Sequence, residues 1–331
     1  MIEPFGNKNY KFGIESFLIM YLNQYDVILG SDLENYIQNG GIFNEQYPSN
    51  LYFVLKRPKV SVDPKSVKIE GKKVTFSFKI HQQEKHSIIN LGIELVNATT
   101  GIEFKTEYPY NLFTISDKEK VLLVTRPSTI IDNVEEEFIN QIPALDYEIL
   151  YIGQAYGKDG KRTAIDRLSS HETVQKIYTH SLTQNPDSDI CFMLAKFTQD
   201  SMLFVSGSES IVVSEKNQKI ENERVKHVFK NNGLSFSEKQ RINFTEAALI
   251  KFFEPKYNIE FKNCFPSQRH KSYSECYNLD VRGISIELDT SELNRKLFTK
   301  KIKRNFHHMK IFEFKSDEDR ISLLKLFSNE E

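Results

Sequence analysis

The chain of 331 residues is 39% hydrophobic and 27% charged, and its 44 Lys and Arg side chains nearly balance 45 Asp and Glu. This length and composition predict a globular protein with a substantial core, more readily of two domains than of one. The net charge of −1 excludes a global positive field, so that contact with nucleic acid would require a local basic patch.

The N-terminus and the cysteines bear on the cellular compartment. The first eight residues lack the charged and then apolar order of a secretory signal, so export is not expected. The apolar run at 17–22 is far shorter than the roughly 20 residues of a membrane span, and no membrane contact is predicted. The chain has only three cysteines, Cys191, Cys264 and Cys276, which is an odd number. We therefore expect free thiols rather than disulfides, and a reducing compartment, the cytoplasm.

An alternating pattern of apolar and polar residues dominates the chain from about 51 to 124. It predicts a β-hairpin at 67–80 around a Glu-Gly-Lys turn, and a second hairpin at 93–104. Residues 10–37 mix apolar and polar positions too irregularly to predict an element. We therefore predict a β-rich N-terminal domain over residues 1–117.

The middle of the chain shows first a helical and then a strand pattern. Apolar residues at three- and four-residue steps predict a helix at 163–182, which an Asn-Pro-Asp turn ends. A nearly continuous apolar run predicts a buried strand at 190–197. Residues 206–240 are polar and without a strong period, which indicates an insertion.

The remaining elements follow this insertion. A second long helix is predicted at 244–253, and it ends there because Pro255 pushes the residue before it out of the α region. Alternating residues predict strands at 284–288 and 309–314, and a closing helix is predicted at 317–327.

Glycine and lysine residues between Tyr151 and His171 suggest a phosphate-binding loop. A Walker loop requires a glycine, four further residues and then Gly-Lys-Ser/Thr. Here Arg162 stands in the place of the hydroxyl residue, and Ala155 stands in the place of the first glycine. A nucleotide-binding loop of this type is therefore excluded.

The same stretch resembles the GIY-YIG nuclease superfamily. The second motif strand of that family carries Tyr-Ile-Gly, here Tyr151–Gly153, and the helix after it carries Arg-Leu-x-x-His, here Arg167–His171. The loop between the two is longer than is usual in the family. Downstream, Glu246 resembles the metal-binding glutamate of the family, and Pro255-Lys-Tyr-Asn258 resembles the Pro-x-x-Asn that follows it.

The resemblance implies an α+β fold in which a small antiparallel sheet is flanked by helices. The nuclease-like domain would span residues 118–262, with an insertion at about 206–240, after the β-rich domain 1–117. Residues 263–331 would form a C-terminal extension with strands and a basic surface. The implied activity is that of a metal-dependent endonuclease that hydrolyses DNA phosphodiester bonds, in restriction, defence or repair. The first domain would select the target or bind a protein partner.

The residue types suit that chemistry. Glu246 would bind Mg²⁺ or Mn²⁺, hard cations that carboxylate, water and phosphate oxygens coordinate. Arg167 keeps its charge and can bind two phosphate oxygens at once, and on a helix it shares a face with His171. Tyr151 would orient or deprotonate the attacking water, His171 would act as a base or contact the phosphate, and Asn258 would support the site.

All four of the proposed reacting residues also fit ordinary structural roles. His171 alone would suit a structural or surface histidine, and Tyr151, one of 15 tyrosines, would suit a half-buried strand. Glu246 lies three positions after Asn243, so this pair would suit a cap at a helix start. Arg167 would suit an ion pair with Asp166 or Glu172 on a solvated helix. The joint order of the motifs, and not any single residue, favours the catalytic interpretation.

The first motif of the family, Gly-Ile-Tyr on a strand shortly before Tyr-Ile-Gly, is absent from the expected window at 137–143. The best substitute strand is Val121–Thr125, which lacks a tyrosine. Because side chains alternate along a strand, Tyr147 would lie on the same face as Tyr151. It is the candidate for the hydroxyl that the tyrosine of the first motif would supply. The general base is therefore unassigned, and the alternative function is a catalytically decayed module that binds nucleic acid or protein.

A basic run occupies residues 295–310, with seven Lys or Arg, two His and no acidic residue. Interleaved apolar residues predict an amphipathic element whose basic face would lie along a phosphate backbone. A solvated charged face next to acidic elements of the same protein fits the run equally well.

Overall fold

The computed structural model describes residues 13–44, 46–83, 85–96, 101–118, 120–133, 142–154, 167–168, 171–205, 214–230, 236–262, 265, 276 and 281–314. Within these segments the chain forms an α+β structure, as predicted, with one seven-stranded sheet and two three-stranded sheets. None of the helices in the described segments is long and apolar enough to cross a membrane. Cys191 is a buried free thiol and Cys276 is buried, whereas Cys264 lies outside the described residues.

Strands and helices are numbered here in chain order. The strands are β1 (Ile14–Leu29), β2 (Leu51–Pro58), β3 (Val60–Glu70), β4 (Lys73–Gln82), β5 (Lys85–Glu94), β6 (Ile102–Thr106), β7 (Phe113–Asp117), β8 (Lys120–Thr125), β9 (Tyr147–Gln154), β10 (Ser188–Val205), β11 (Val281–Asp289), β12 (Leu297–Phe298) and β13 (His307–Glu313). The α-helices are α1 (Leu33–Gln38), α2 (Pro127–Asp132), α3 (Glu172–Gln184), α4 (Glu215–Lys230) and α5 (Glu238–Phe253).

The seven-stranded sheet has the strand order β12-β9-β2-β10-β1-β11-β13. β9, β2, β10 and β1 are antiparallel neighbours, and β1 pairs in parallel with β11. Successive side chains of β2 alternate between two cores. Leu51 and Phe53 belong to the core that includes α5, on the side called here the α5 face. Tyr52 and Val54 belong to the core that includes α3, on the side called here the α3 face.

An inserted module separates β2 from β9 along the chain. It contains β3 to β8 and α2, and its two sheets, β3-β4-β5 and β6-β7-β8, enclose a core of phenylalanines such as Phe76 and Phe113. The predicted hairpin at 67–80 is confirmed, since β3 and β4 turn at Gly71, whose φ of 60° suits glycine. The second predicted hairpin is wrong, because β5 pairs with β4 and β6 pairs with β7.

Strands from all parts of the chain share the seven-stranded sheet. β1 and β2 lie within the predicted unit 1–117, β9 and β10 lie within 118–262, and β11 and β13 lie within 263–331. The predicted boundaries therefore do not divide this sheet from the others. Periodicity identifies a strand but not its partner, because pairing depends on the packing of side chains from distant segments.

Most of the other predicted elements can be compared with the structure. The predicted strands at 190–197, 284–288 and 309–314 are confirmed as parts of β10, β11 and β13. The predicted helix at 163–182 is not continuous, because the backbone of His171 is extended and α3 begins after it. The predicted closing helix and residues 134–141 lie outside the described residues.

The predicted polar insertion at 206–240 contains α4, a helix that the weak periodicity did not indicate. The Glu221 carboxylate accepts hydrogen bonds from the backbone N–H groups of Gly13 and Ile14. The buried Arg224 donates a hydrogen bond to the carbonyl of Ile14. α4 therefore contacts the start of β1 through charged side chains.

The basic run at 295–310 is not one amphipathic element, since it contains β12 and the start of β13. Arg295 is only 1% exposed and forms a salt bridge with Asp132. Arg304 forms a salt bridge with Asp146. These two cations therefore face acidic groups of the same protein, as the second interpretation predicted, but the burial of Arg295 contradicts a wholly solvated face.

Asp132 of α2 is expected to be important for stability. Its carboxylate lies 2.8 Å from Nη1 of Arg57 and 3.0 Å from Nη2 of Arg295, and both guanidinium groups are almost fully buried. Asp132→Asn removes the shared countercharge and should lower the free energy of unfolding by about 3–5 kcal/mol in urea denaturation. Glu103→Gln, in an exposed pair with Lys105, is the control and should cost less than about 0.5 kcal/mol. Equal losses in the two variants would contradict this role.

Candidate functional site

The candidate site lies where β2 begins and β9 ends. The two strands are antiparallel neighbours, and Tyr52 is opposite Gly153 while Val54 is opposite Tyr151. A Cβ atom at Gly153 would lie 2.6 Å from the hydroxyl oxygen and from a ring carbon of Tyr52. Only glycine therefore allows the Tyr52 ring to cross β9 at this point, which explains the glycine of the Tyr-Ile-Gly motif by close packing.

A β-bulge in β9 determines which tyrosine reaches the site. Val54 pairs with Tyr151 but Leu55 pairs with Ile149, so that one extra residue of β9 interrupts the alternation. Tyr147 consequently belongs to the core of the α5 face, whereas Tyr151 packs on the α3 face. The hydroxyl of Tyr147 lies 2.9 Å from Nη1 of Arg57, so the prediction that Tyr147 supplies the missing hydroxyl is wrong.

Tyr52 supplies a hydroxyl that the sequence analysis missed. Its side chain is fully buried, with its ring centroid 6.1 Å from that of Tyr151 and 6.4 Å from that of His171. The Tyr151 and His171 centroids are 5.5 Å apart. The predicted substitute strand Val121–Thr125 forms β8 and pairs with β7 in another sheet, so that prediction is wrong. In the sequence, Tyr52 lies in an apolar run far upstream of residues 137–143, where the first motif was expected.

Arg167 and His171 both reach the tyrosines, although they are not on one helix. His171 precedes α3 with an extended backbone (φ −85°, ψ 121°), so the predicted shared helix face is wrong. Leu168 is buried on the α3 face and anchors the arginine beside it. The charge of Arg167 opposes the rise that burial causes in the pKa of Tyr52 and in that of Tyr151. Its guanidinium therefore lies next to both hydroxyl groups.

Glu246 lies in the middle of α5 and is 7% exposed. Burial raises the pKa of its carboxyl to about 8, and the nearby Glu260 carboxylate adds to this rise. A hydrogen bond from the backbone of Gln154 and the charge of Arg167 oppose it. The structure thus brings Glu246 to the end of β9, within electrostatic reach of Arg167.

The proposed cap at Glu246 is wrong. α5 begins at Glu238, and Ser237 and Gln240 form a reciprocal capping box at its start. Glu246 is therefore two turns inside the helix, where its side chain makes no contribution to a cap. A buried, ionisable residue in the middle of a helix requires another explanation.

Asn258 fixes the outer edge of β9. Its Oδ1 accepts a hydrogen bond of 2.9 Å from the N–H of Ile152, and its Nδ2 donates one of 2.8 Å to the carbonyl of the same residue. The N–H of Tyr257 donates to the carbonyl of Leu150. The segment after Pro255 thus satisfies backbone groups of β9 on both sides of Tyr151, which positions this tyrosine.

The two tyrosine hydroxyls are protonated at neutral pH in this form of the protein. Burial raises the pKa of Tyr52 and of Tyr151 above the ordinary value, and the charge of Glu246 contributes to both rises. Both hydroxyls therefore donate hydrogen bonds or orient a ligand, and neither is a ready base. Arg167 interacts with the Tyr52 hydroxyl, and Tyr52 with the Tyr151 hydroxyl, and each interaction opposes the rise in the tyrosine pKa. In the described part of the chain, however, the Tyr52 hydroxyl and Nε of Arg167 are buried without a hydrogen bond of normal geometry.

The chemistry of these groups would suit an anionic ligand and a cation. Unsatisfied buried donors favour an oxygen-rich anionic ligand, and the buried Glu246 carboxylate favours a cation beside it. The described residues contain no group of three or more His, Cys, Asp or Glu side chains that could hold a metal ion. Glu246 alone could supply one carboxylate ligand to a hard cation such as Mg²⁺ or Mn²⁺, and water and ligand oxygens would have to complete the coordination.

Comparisons with known proteins found no relative of this chain. No family model, no curated protein and no solved structure matches it. The functional interpretation therefore depends on the residues of the site and on their geometry.

Glu246→Gln is expected to stabilise the protein in the absence of divalent cations, and to do so more at high pH. The pKa of this carboxyl is about 8 in the folded protein, whereas an exposed glutamate, as in the unfolded chain, has a pKa of 4.5. Between these two values the folded state keeps a proton that the unfolded chain releases. The unfolding free energy of the wild type should therefore fall, relative to the variant, as the pH rises from 4.5 to 8. The whole change is on the order of a few kcal/mol.

Urea denaturation in EDTA at mildly acidic and at alkaline pH measures this difference. Glu238→Gln, an exposed carboxylate in the first turn of the same helix, is the control for loss of charge and should show no such trend. Parallel pH profiles for the wild type and Glu246→Gln would show that the carboxyl is not buried as described.

Proposed function

We propose that this chain is a metal-dependent endonuclease of the GIY-YIG type that hydrolyses DNA phosphodiester bonds. The observation that carries the proposal is a convergence of side chains from four distant segments at the meeting point of β2 and β9. The converging residues are Tyr52, Tyr151, Arg167, His171 and Glu246.

The fold supports this proposal through the arrangement of the two tyrosine strands. In the proposed correspondence, β9 is the Tyr-Ile-Gly strand and β2, with Leu51 and Tyr52, is the strand of the missing first motif. Asn50 stands where that motif has glycine. β2, β9 and β10 would then be the small antiparallel sheet of the family, flanked by α3 and α5 on its two faces. The inserted module explains why the first motif lies so far upstream.

Each residue of the site would have a distinct role in the reaction. Arg167 would bind two oxygens of the scissile phosphate and balance the negative charge that develops there, because a guanidinium keeps its charge. Tyr52 and Tyr151, which stay protonated, would orient the attacking water or donate to phosphate oxygens. His171 contacts both rings and is the candidate general base among these residues.

Glu246 would hold the divalent cation. When bound, Mg²⁺ or Mn²⁺ supplies a Lewis acid for a phosphate oxygen and lowers the pKa of water. The cation would also keep Glu246 ionised at neutral pH, since a nearby positive charge favours the carboxylate. Asn258 would keep β9 in place. The biological settings that the family resemblance allows are restriction, defence and repair, in the reducing cytoplasm that the free thiols favour.

Loss of the Glu246 carboxylate should abolish cleavage. The experiment incubates purified protein with plasmid and linear DNA in Mg²⁺, Mn²⁺ or EDTA and follows the products on gels. The wild type should cleave with either cation and not in EDTA, and Glu246→Gln should lose at least about 100-fold in rate, because the cation contributes several kcal/mol. Glu238→Gln, on the same helix, should retain the wild-type rate.

The rival function is that of a non-catalytic module that binds nucleic acid or protein. The burial of Tyr52 and Glu246 favours it, since both side chains are nearly closed to water here. Intact DNA with the wild type under every ion condition, together with binding that weakens with salt, would replace the nuclease proposal by a nucleic-acid module.

Tyr52→Phe separates the role of Tyr52 from that of the tyrosine suggested by the sequence. Removing this hydroxyl should lower the cleavage rate about 100-fold, the usual effect of losing one donor to the reacting groups. Tyr147→Phe is the matched control, since it removes the hydroxyl of another buried tyrosine beside β2, one that contacts Arg57. It should leave the rate within about threefold of the wild type, well below the loss of a catalytic donor. A large loss of rate in Tyr147→Phe and a small one in Tyr52→Phe would instead assign the catalytic hydroxyl to Tyr147.

A further inference from the structure

A lysine of β10 lies on the same sheet face as the candidate site. Leu194 is directly opposite Tyr52 and packs on the α3 face, and Lys196 is two residues farther along β10. Since side chains alternate along a strand, Lys196 projects from the α3 face too. Ala195 between them packs on the α5 face, as this alternation requires.

The neighbourhood of Lys196 holds its ammonium group in place. Nζ of Lys196 lies 3.5 Å from the centroid of the Tyr47 ring, in a cation–π contact. Tyr47 is stacked on the buried Phe43, with ring centroids 6.0 Å apart, and its N–H donates to Oδ1 of Asn44. The lysine therefore rests on an ordered aromatic group, which reduces the entropy that its long side chain would lose on binding a ligand.

No acid in the described segments neutralises the charge of Lys196. Among the described residues, no carboxylate forms a salt bridge with it, whereas Lys56, Lys79 and Lys301 each have an acidic partner. A cation–π contact contributes only about 0.5–1 kcal/mol at such a site, and it leaves the positive charge available to an anion.

The distance from Lys196 to the site suits a DNA backbone. Diagonal neighbours on antiparallel strands, such as Tyr52 and Lys196, are about 7–8 Å apart and within reach of long side chains. Phosphates of one DNA strand advance by about 3.4 Å each along the helix axis. This backbone separation is about two such axial steps, so Lys196 and the candidate site could contact nearby phosphates of one strand.

We propose that Lys196 binds a phosphate close to the scissile one, so that the cleaved strand crosses the α3 face from β9 towards β10. The inference rests on the proposed nuclease function and adds to it the direction of the substrate backbone. Lys196 is in this sense a positioning residue. It contributes to DNA affinity through one phosphate contact and does not touch the reacting atoms.

Binding of a fluorescein-labelled DNA duplex by anisotropy tests the proposal. The parent protein is Glu246→Gln, in EDTA, so that no cleavage interferes. Affinities are measured from about 50 to 200 mM KCl, because the slope of log K against log salt counts phosphate contacts. Lys196→Gln and Lys196→Arg are compared in this parent, and Lys105→Gln, an exposed lysine in the inserted module, is the control.

The expected result is a slope shallower by about 0.9 in Lys196→Gln, together with weaker binding at low salt, since one phosphate contact is lost. Lys196→Arg and Lys105→Gln should keep the slope of the parent. An unchanged slope in Lys196→Gln, with a parent that binds, would overturn this inference alone. Failure of the parent to bind DNA at any salt concentration would overturn the proposed function and this inference with it. Thermal melting of each variant shows that the folded proteins are being compared.

Discussion

The antiparallel pairing of β2 with β9 is the constraint on which the candidate site depends. It places Tyr52 opposite Gly153, and the missing Cβ of this glycine lets the tyrosine ring lie across the neighbouring strand. The pairing joins segments that the inserted module separates along the chain. Such a separation costs little, because each doubling of loop length adds only about 0.6 kcal/mol to the entropy of closure. The module also has a core of its own.

The bulge in β9 gives two ends of one strand different roles. Before the bulge, Tyr147 contacts Arg57, and Asp132 joins that arginine to Arg295 near the inserted module. After the bulge, Tyr151 packs beside Tyr52 and His171 on the opposite face. The network at the first end fixes where the module joins the sheet, while Asn258 fixes the edge of the strand at the other end. The geometry of the site is thus held by residues that would not react.

Local patterns predicted those features that local forces determine. The hairpin at 67–80 followed from alternation around a turn, the strand at 190–197 from an apolar run and the strand at 284–288 from alternation. β1 was not predicted, because a central strand packed on both faces shows no simple alternation. α4 was not predicted, since its contacts with β1 are polar. Register is a tertiary property, so no local pattern reveals a bulge or the partner of a strand.

The same distinction applies to the site. Tyr151, Arg167, His171 and Glu246 were identified by type and order, and the structure brings them together. Tyr52 was not identified, because its place depends on pairing across the inserted module. The sequence also assigned Glu246 an alternative role as a cap, which the start of α5 at Glu238 rules out. What sequence patterns could not provide was the environment of each side chain, and it is the environment that distinguishes a structural carboxylate from a buried one with a pKa of about 8.

A buried glutamate of this kind has a cost that packing alone does not explain. A glutamine or an apolar residue would fill the same space in α5 without the loss of solvation that raises the Glu246 pKa. Tyr52 and Arg167 add buried polar atoms that interact with each other but lack a hydrogen bond of normal geometry in the described structure, which adds to the cost. Three unfavourable features at one place are expected where a ligand completes the interactions, because binding then recovers free energy that the empty site lacks. A phosphate that accepts from Tyr52 and Arg167, beside a cation on Glu246, would satisfy all three at once.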